Sequence, residues 1–145
     1  MCHLAQLNIA KLLHPIDHPE ISGFVNNLEQ INQLAENSPG FVWRLQSDAG
    51  NATDIDAFGN PLIIINMSVW KSLEDLKNFV FDSHHMNIMQ KRRHWFEKSK
   101  SPHIVLWYIP KDHIPTIEEA KKKLEYLTIH GESKDAFSFR KTYQY

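Results

Sequence analysis

The chain is short of most features that would assign it quickly. It has one cysteine in 145 residues, Cys2, so no disulfide can close within it, and a reducing compartment is expected. No apolar run is long enough for a membrane span, so no membrane partner is expected. Sixteen Lys and Arg residues face seventeen Asp and Glu residues, for a formal net charge of −1. That balance removes the electrostatic case for nucleic acid. The two short basic runs, Lys91-Arg92-Arg93 and Lys121-Lys122-Lys123, read as solvated helix surface. Only five glycines occur, scattered, and none builds a phosphate-cradling loop. The opening MCHLAQLNIAKLLHP is interrupted by His3, Gln6, Asn8 and Lys11, which is unlike a signal peptide, so the cytoplasm is the expected location. The Asn-x-Ser/Thr matches at Asn51 and Asn66 then carry no meaning.

What the chain does have is ordinary globular composition, with 42% hydrophobic and 23% charged residues, and a length that fits one domain over 1–145. LAQLNIA (4–10) alternates: Leu4, Gln6 and Asn8 share one face, Ala5, Leu7 and Ile9 the other, which is strand periodicity. HPIDHPE follows, with Asp17 or His18 as a cap and Pro19 in a first helical turn. Ile21, Phe24, Val25, Leu28, Ile31 and Leu34 then recur at helical spacing as far as Asn37-Ser38-Pro39-Gly40. FVWRLQ (41–46) reads as a strand with Phe41, Trp43 and Leu45 on one face. A polar loop spans 47–61, and PLIIINMSVW (61–70) is the strongest strand, its unbroken apolar run suggesting cover on both faces. Ser72 caps a helix that is expected to run on through 81–96, with room for a kink near Asp82-Ser83, and stop at Ser99-Lys100-Ser101-Pro102. HIVLWYIP (103–110) is a fourth strand. Thr116 and Glu119 form a capping box for a last helix closed by Gly131, and FSFR (137–140) is a short final strand.

The order β-α-β-β-α-β plus an extra C-terminal helix specifies an α+β, ferredoxin-like fold with two helices on one face of an antiparallel sheet. The strands are apolar on both faces. A second copy is the simplest cover for the far face, so a homodimer through sheet faces is expected.

FDSHHMNIMQKRRHWF (81–96) carries the oddest pattern. On a helix, Phe81, His85, Ile88, Met89, Arg92, Trp95 and Phe96 share an arc of roughly 120°, which places a histidine and an arginine within an apolar stripe. An arginine is seldom buried alone. If the stripe faces a cavity, His85 is a general acid or base, Arg92 holds an anion and His84 assists, with Asn8, Trp43, Trp70, Met89 and Trp95 as pocket residues. If it faces only the core, Arg92 snorkels or pairs with an acid and His85 bonds a backbone carbonyl. No metal site is expected. Adjacent His84 and His85 diverge on a helix, and the His14–His18 spacing is interrupted by Pro15 with no second cluster evident nearby.

HLAQLNIAKLLHP, GFVWRLQ, NMSVWKSLEDLKNFVFDSHHMNIMQKRRHWF, HIVLWYIPKDHIPTIEEAKKKLEYL and FSFR together resemble the domain-of-unknown-function family 3291, a member of the dimeric α/β-barrel superfamily related in fold to antibiotic-biosynthesis-type monooxygenases. The resemblance covers nearly the whole chain. It implies a dimeric α/β barrel and a small apolar or aromatic ligand. The family brings no reaction of its own, but the wider superfamily includes cofactor-free monooxygenases. With the candidate pocket residues, the leading expectation is cofactor-independent monooxygenase-like or proton-transfer chemistry, with no cofactor. The superfamily's haem-degrading branch uses an Asn on the first strand, a Trp on the third and a His on the second helix. Asn8, Trp70 and His84 or His85 would match, which makes haem the alternative cofactor. The Trp-to-His separation of 14 or 15 residues and the presence of Arg92 depart from that branch. A third alternative is a non-enzymatic interaction or ligand-sensing module.

Overall fold

In the first strand polar and apolar side chains take turns, and the sheet gives each set its own face. The computed structural model describes residues 2–46, 53, 55–82, 94–98 and 103–145. β1 (Cys2–Lys11) lies between β3 (Ile63–Trp70) and β4 (Ile104–Pro110), and β2 (Phe41–Arg44) flanks β3, in the order β2-β3-β1-β4. Every pairing is antiparallel. α1 (Ser22–Glu36) joins β1 to β2, and α2 (Leu73–Val80) follows β3. α3 (Ile117–His130) comes after β4. The fold is therefore α+β and ferredoxin-like, as expected.

Register explains what each face does. Leu4 lies opposite Trp70 and Tyr108, Gln6 opposite Ser68 and Leu106, and Asn8 opposite Asn66 and Ile104. This face meets α1 and α2 through a cluster containing Leu4, Ala35, Trp70, Leu73, Leu76, Leu106 and Phe137. On the other face Ala5, Leu7, Met67, Val69, Val105 and Trp107 pack against Ala120, Leu124 and Leu127 of α3. Ile55, Ala57 and Phe58, from the loop before β3, join the same cluster. The Lys121 ammonium donates to the Ala57 carbonyl at 2.9 Å and lies 5.1 Å from the centre of the Phe58 ring. Part of the polar 47–61 loop thus serves as cover for the sheet.

The premise for a sheet-face homodimer was a bare second face, and the chain covers that face itself. Leu7, Met67, Val69, Val105 and Trp107 are each at most 2% exposed within a single chain. Within the single chain, α3 and residues 55–58 supply that cover.

Local chemistry accounts for the ends of the elements. The Ser72 hydroxyl accepts the Asp75 amide at 3.1 Å, and the Thr116 hydroxyl accepts the Glu119 amide at 3.1 Å. Each satisfies one of the amides that a helix N-terminus leaves unpaired. The Glu119 carboxylate does not complete a capping box. It accepts the Trp107 indole N–H at 2.9 Å and contacts His113 Nε2 at 2.6 Å, fastening α3 to β4. Phe137 exchanges two backbone hydrogen bonds with Leu106, of 2.7 and 3.0 Å, and so extends the outer edge of β4 as a single bridge.

Two expectations fail. Phe41 pairs with Trp70 but Trp43 pairs with Val69, because the register shifts between them. The extra residue of a bulge sends Phe41 to the helix side and Trp43 to the α3 side, so they do not share a face. The second helix is capped at Phe81, close to the expected kink at Asp82-Ser83, and its expected continuation over 83–93 lies outside the described residues. At its far end Trp95 and Phe96 are not helical: Phe96 bridges Leu12, Leu13 N–H donates to the Trp95 carbonyl and Glu97 N–H to the Lys11 carbonyl, both at 2.8 Å. Trp95 and Phe96 belong to a cluster with Leu12, Ile21 and Ile64, not to a helical stripe.

Gly40 ties β2 to α2. Its φ is +83°, and its carbonyl accepts the Lys71 amide at 2.8 Å. A Cβ built there would overlap the Asp75 side chain. Gly40→Ala should cost about 1–2 kcal/mol in backbone strain, plus the displacement of Asp75 from its place beside Ser72. A fall in the urea midpoint checks this; an unchanged midpoint would show that the loop relaxes freely.

Candidate functional site

The apolar residues of α1 pose a packing question. Phe24, Leu28 and Ile31 have the helical spacing of a core face, yet none of them is fully buried. They line a cavity of about 370 Å³ between the helices and the sheet. That volume lies within the size range of small-molecule sites. Phe79 and Val80 of α2 add to the wall, as do Phe96, Ile104 and Phe139. Asn32, 7% exposed, and Ala35 line it from the last two turns of α1.

The floor is polar and comes from the two central strands. Gln6 and Asn8 of β1 lie opposite Ser68 and Asn66 of β3, and all four line the cavity. Gln6 Nε2 donates to Asn66 Oδ1 at 2.7 Å and to Ser68 Oγ at 2.8 Å. Ser68 Oγ also accepts the Trp70 indole N–H at 2.9 Å. Both lone pairs of that hydroxyl are then occupied, and its O–H finds no acceptor among the described residues. Asn8 Oδ1 is buried and has no hydrogen-bond partner among the described residues. A buried carbonyl without a partner costs about 1–3 kcal/mol, so a protein retains one where something else pairs with it. The site thus offers an unused acceptor and an unused donor in an apolar chamber.

Arg44 and His103 add charge capacity to the lining. Arg44 projects from β2 on the helix side, opposite Ser68, and its Nε donates to Glu36 Oε1 of α1 at 2.7 Å. Its side chain is only 12% exposed. Sequence reading missed it, because one arginine in a four-residue strand looks like surface. No local signal marks it, because the pairing that places Arg44 on the same face as Asn8 is visible only against β3.

Of the residues singled out from sequence, Asn8 lines the cavity. Trp70 lies behind the floor rather than in it: it is fully buried, stacked on Phe79 at 5.1 Å, and reaches the site only through Ser68. Trp43 packs on the α3 side of the sheet. Trp95 packs against Gly23 and Phe24 in the cluster beside the β1–α1 turn. His84, His85, Met89 and Arg92 lie outside the described residues. The haem correspondence that uses Trp70 finds its indole enclosed by aromatic core. One further grouping was not expected: His14, His18 and Glu20 bring ligand-type atoms within 4.8 Å of one another. Pro15 does break the helix between the two histidines, but the resulting turn stacks them.

Solved structures share this architecture at low identity, which speaks to fold alone. SnoaB from Streptomyces nogalater, described as a cofactor-independent oxygenase, is 12% identical with a TM-score of 0.53, over 80% of this chain and 100% of its own. NE2512 from Nitrosomonas europaea, a protein of unknown function, is 12% identical with a TM-score of 0.55, over 80% and 97%. A conserved protein from Methanosarcina mazei Go1 is 15% identical with a TM-score of 0.52, over 77% and 95%. No curated protein matches the chain. The family model described as Domain of unknown function (DUF3291) matches residues 3–145, and the chain belongs to that family.

Proposed function

We propose that the chain binds a small, largely apolar or aromatic molecule in the cavity between α1, α2 and the sheet. We further propose that it acts on this molecule by cofactor-independent monooxygenase-like or proton-transfer chemistry. The observation that carries the proposal is Asn8 Oδ1, without a partner among the described residues, on the floor of an apolar cavity of about 370 Å³. A ligand hydroxyl or N–H would satisfy that oxygen, and the Ser68 O–H would in turn serve a ligand oxygen. Phe24, Phe79 and Phe96 give ring faces for an aromatic body. SnoaB's description as a cofactor-independent oxygenase supports the same chemistry, as a likeness of fold. The acid/base role for His85, the anion-holding role for Arg92 and the auxiliary role for His84 belong to this proposal. Arg44 joins them as a second guanidinium available to an anionic ligand group.

Native mass spectrometry of the freshly purified chain, before and after mild denaturation, tests the binding step. An organic mass that is released on unfolding is the expected result; a bare chain that also gains no mass from a panel of hydroxylated polycyclic aromatics would sink it. The same spectrum weighs the partner. A dimer that keeps α3 in place has exposed apolar residues to use on that helix, such as Tyr126 and Ile129, 40% and 65% exposed. A one-chain mass would show that α3 has replaced the second copy.

A further inference from the structure

The turn between β1 and α1 holds a cluster that the cavity does not use. We propose that His14, His18 and Glu20 form a binding site for a divalent transition-metal ion of the zinc class, which braces this turn.

The sequence of the turn, His14-Pro15-Ile16-Asp17-His18-Pro19-Glu20, builds the cluster. Each histidine precedes a proline, a position biased away from helix, and His18 is extended at φ −68° and ψ 139°. The His18 amide donates to the Pro15 carbonyl at 2.9 Å, which closes the turn. Leu12 and Ile21, each at most 1% exposed, pin its two ends into the core, and Ile16 packs against the same cluster. With the apolar residues turned inward, the two imidazoles are left together at the surface. Their ring centres are 4.1 Å apart and the planes differ by 13°. His14 Nε2 is 2.7 Å from Glu20 Oε2.

Two imidazoles and one carboxylate are a usual donor set for zinc, with an open position left for water. Ligand atoms around a tetrahedral ion with bonds of about 2.0 Å lie about 3.3 Å apart. The three atoms here already fall within 4.8 Å, and closing on an ion requires the stacked rings to turn their lone pairs toward one point. The ion would take the place of the proton shared by His14 Nε2 and Glu20 Oε2. His18 Nδ1 now accepts the Glu20 amide at 3.1 Å. Coordination through either ring nitrogen releases that bond, because an imidazole that binds through Nε2 carries its proton on Nδ1. The brace would then substitute for a weak, exposed cap.

Calorimetric titration of the untagged full chain with zinc chloride, in a buffer that does not chelate, tests the site. One ion per chain is expected, with a dissociation constant on the order of micromolar. His14→Ala and His18→Ala should each weaken it roughly tenfold or more, as should His18→Asn. The asparagine variant keeps an acceptor for the Glu20 amide, so it separates loss of the ligand from loss of the cap. His113→Ala, outside the cluster, should bind as the parent does. No heat up to about 100 μM zinc, some hundredfold above the expected constant, would overturn the proposal. So would binding that His14→Ala and His18→Asn leave intact in folded protein.

Discussion

Trp70→Ala is expected to lower the stability of the chain by about 3–5 kcal/mol. Trp70 is 0% exposed at the junction of three elements. Its ring stacks on Phe79 of α2 at 5.1 Å with 22° between planes, and meets Phe41 of β2 edge-on at 5.5 Å and 85°. Its indole N–H ends on Ser68 Oγ. Truncation removes two aromatic contacts, opens a void under α2 and strips the floor of the cavity of its support. A domain has about 5–15 kcal/mol in total, so the loss is a large share. Urea unfolding followed by circular dichroism should show a lower midpoint at unchanged slope. Trp70→Phe should cost less, since it keeps the stacking and gives up mainly the hydrogen bond, worth about 1 kcal/mol. A loss below about 1 kcal/mol for the alanine variant would mean that Trp70 is no part of the core.

Most of the fold was legible because its signals are local. The alternation of Leu4 to Ile9, the serine and threonine caps and the glycine after α3 each act within a few residues, and each stands where the sequence placed it. What stayed hidden depends on contacts between distant segments. The Phe41–Trp43 bulge leaves no mark on the periodicity of FVWR, since an extra residue is visible only against the strand it pairs with. The cover supplied by α3 was hidden because an amphipathic helix does not state which sheet face it will meet. The His14–His18 pair was set aside because Pro15 interrupts its helical spacing and no further ligand was evident nearby, whereas a turn brings the two histidines together with Glu20. Phe96 was placed on a helix by a pattern of period 3.6 that a short extended segment beside β1 also satisfies. The apolar face of α1 was read correctly as inward-facing, but periodicity cannot distinguish a residue that lines a cavity from one that fills a core.

Asn8→Leu separates those two cases, because it should move stability and binding in opposite directions. The buried Asn8 Oδ1 has no partner among the described residues of the folded chain, although water would pair with it in the unfolded one. Replacing the amide with an apolar side chain of similar volume should therefore raise stability by about 1 kcal/mol, read as a higher urea midpoint. The same change removes the acceptor proposed to meet a ligand hydroxyl or N–H. A net loss of about 1.4 kcal/mol or more in that contact would weaken binding tenfold or more, read by titration with the ligand recovered from the native chain. The opposition is the diagnostic, since core asparagines are retained for stability and site asparagines at its expense. A fall in both quantities would make Asn8 a structural residue whose partner is supplied by the fold. A rise in stability with unchanged affinity would move the ligand's polar group elsewhere on the floor, to Ser68 or Asn66, and would leave the unpaired Asn8 carbonyl without a function.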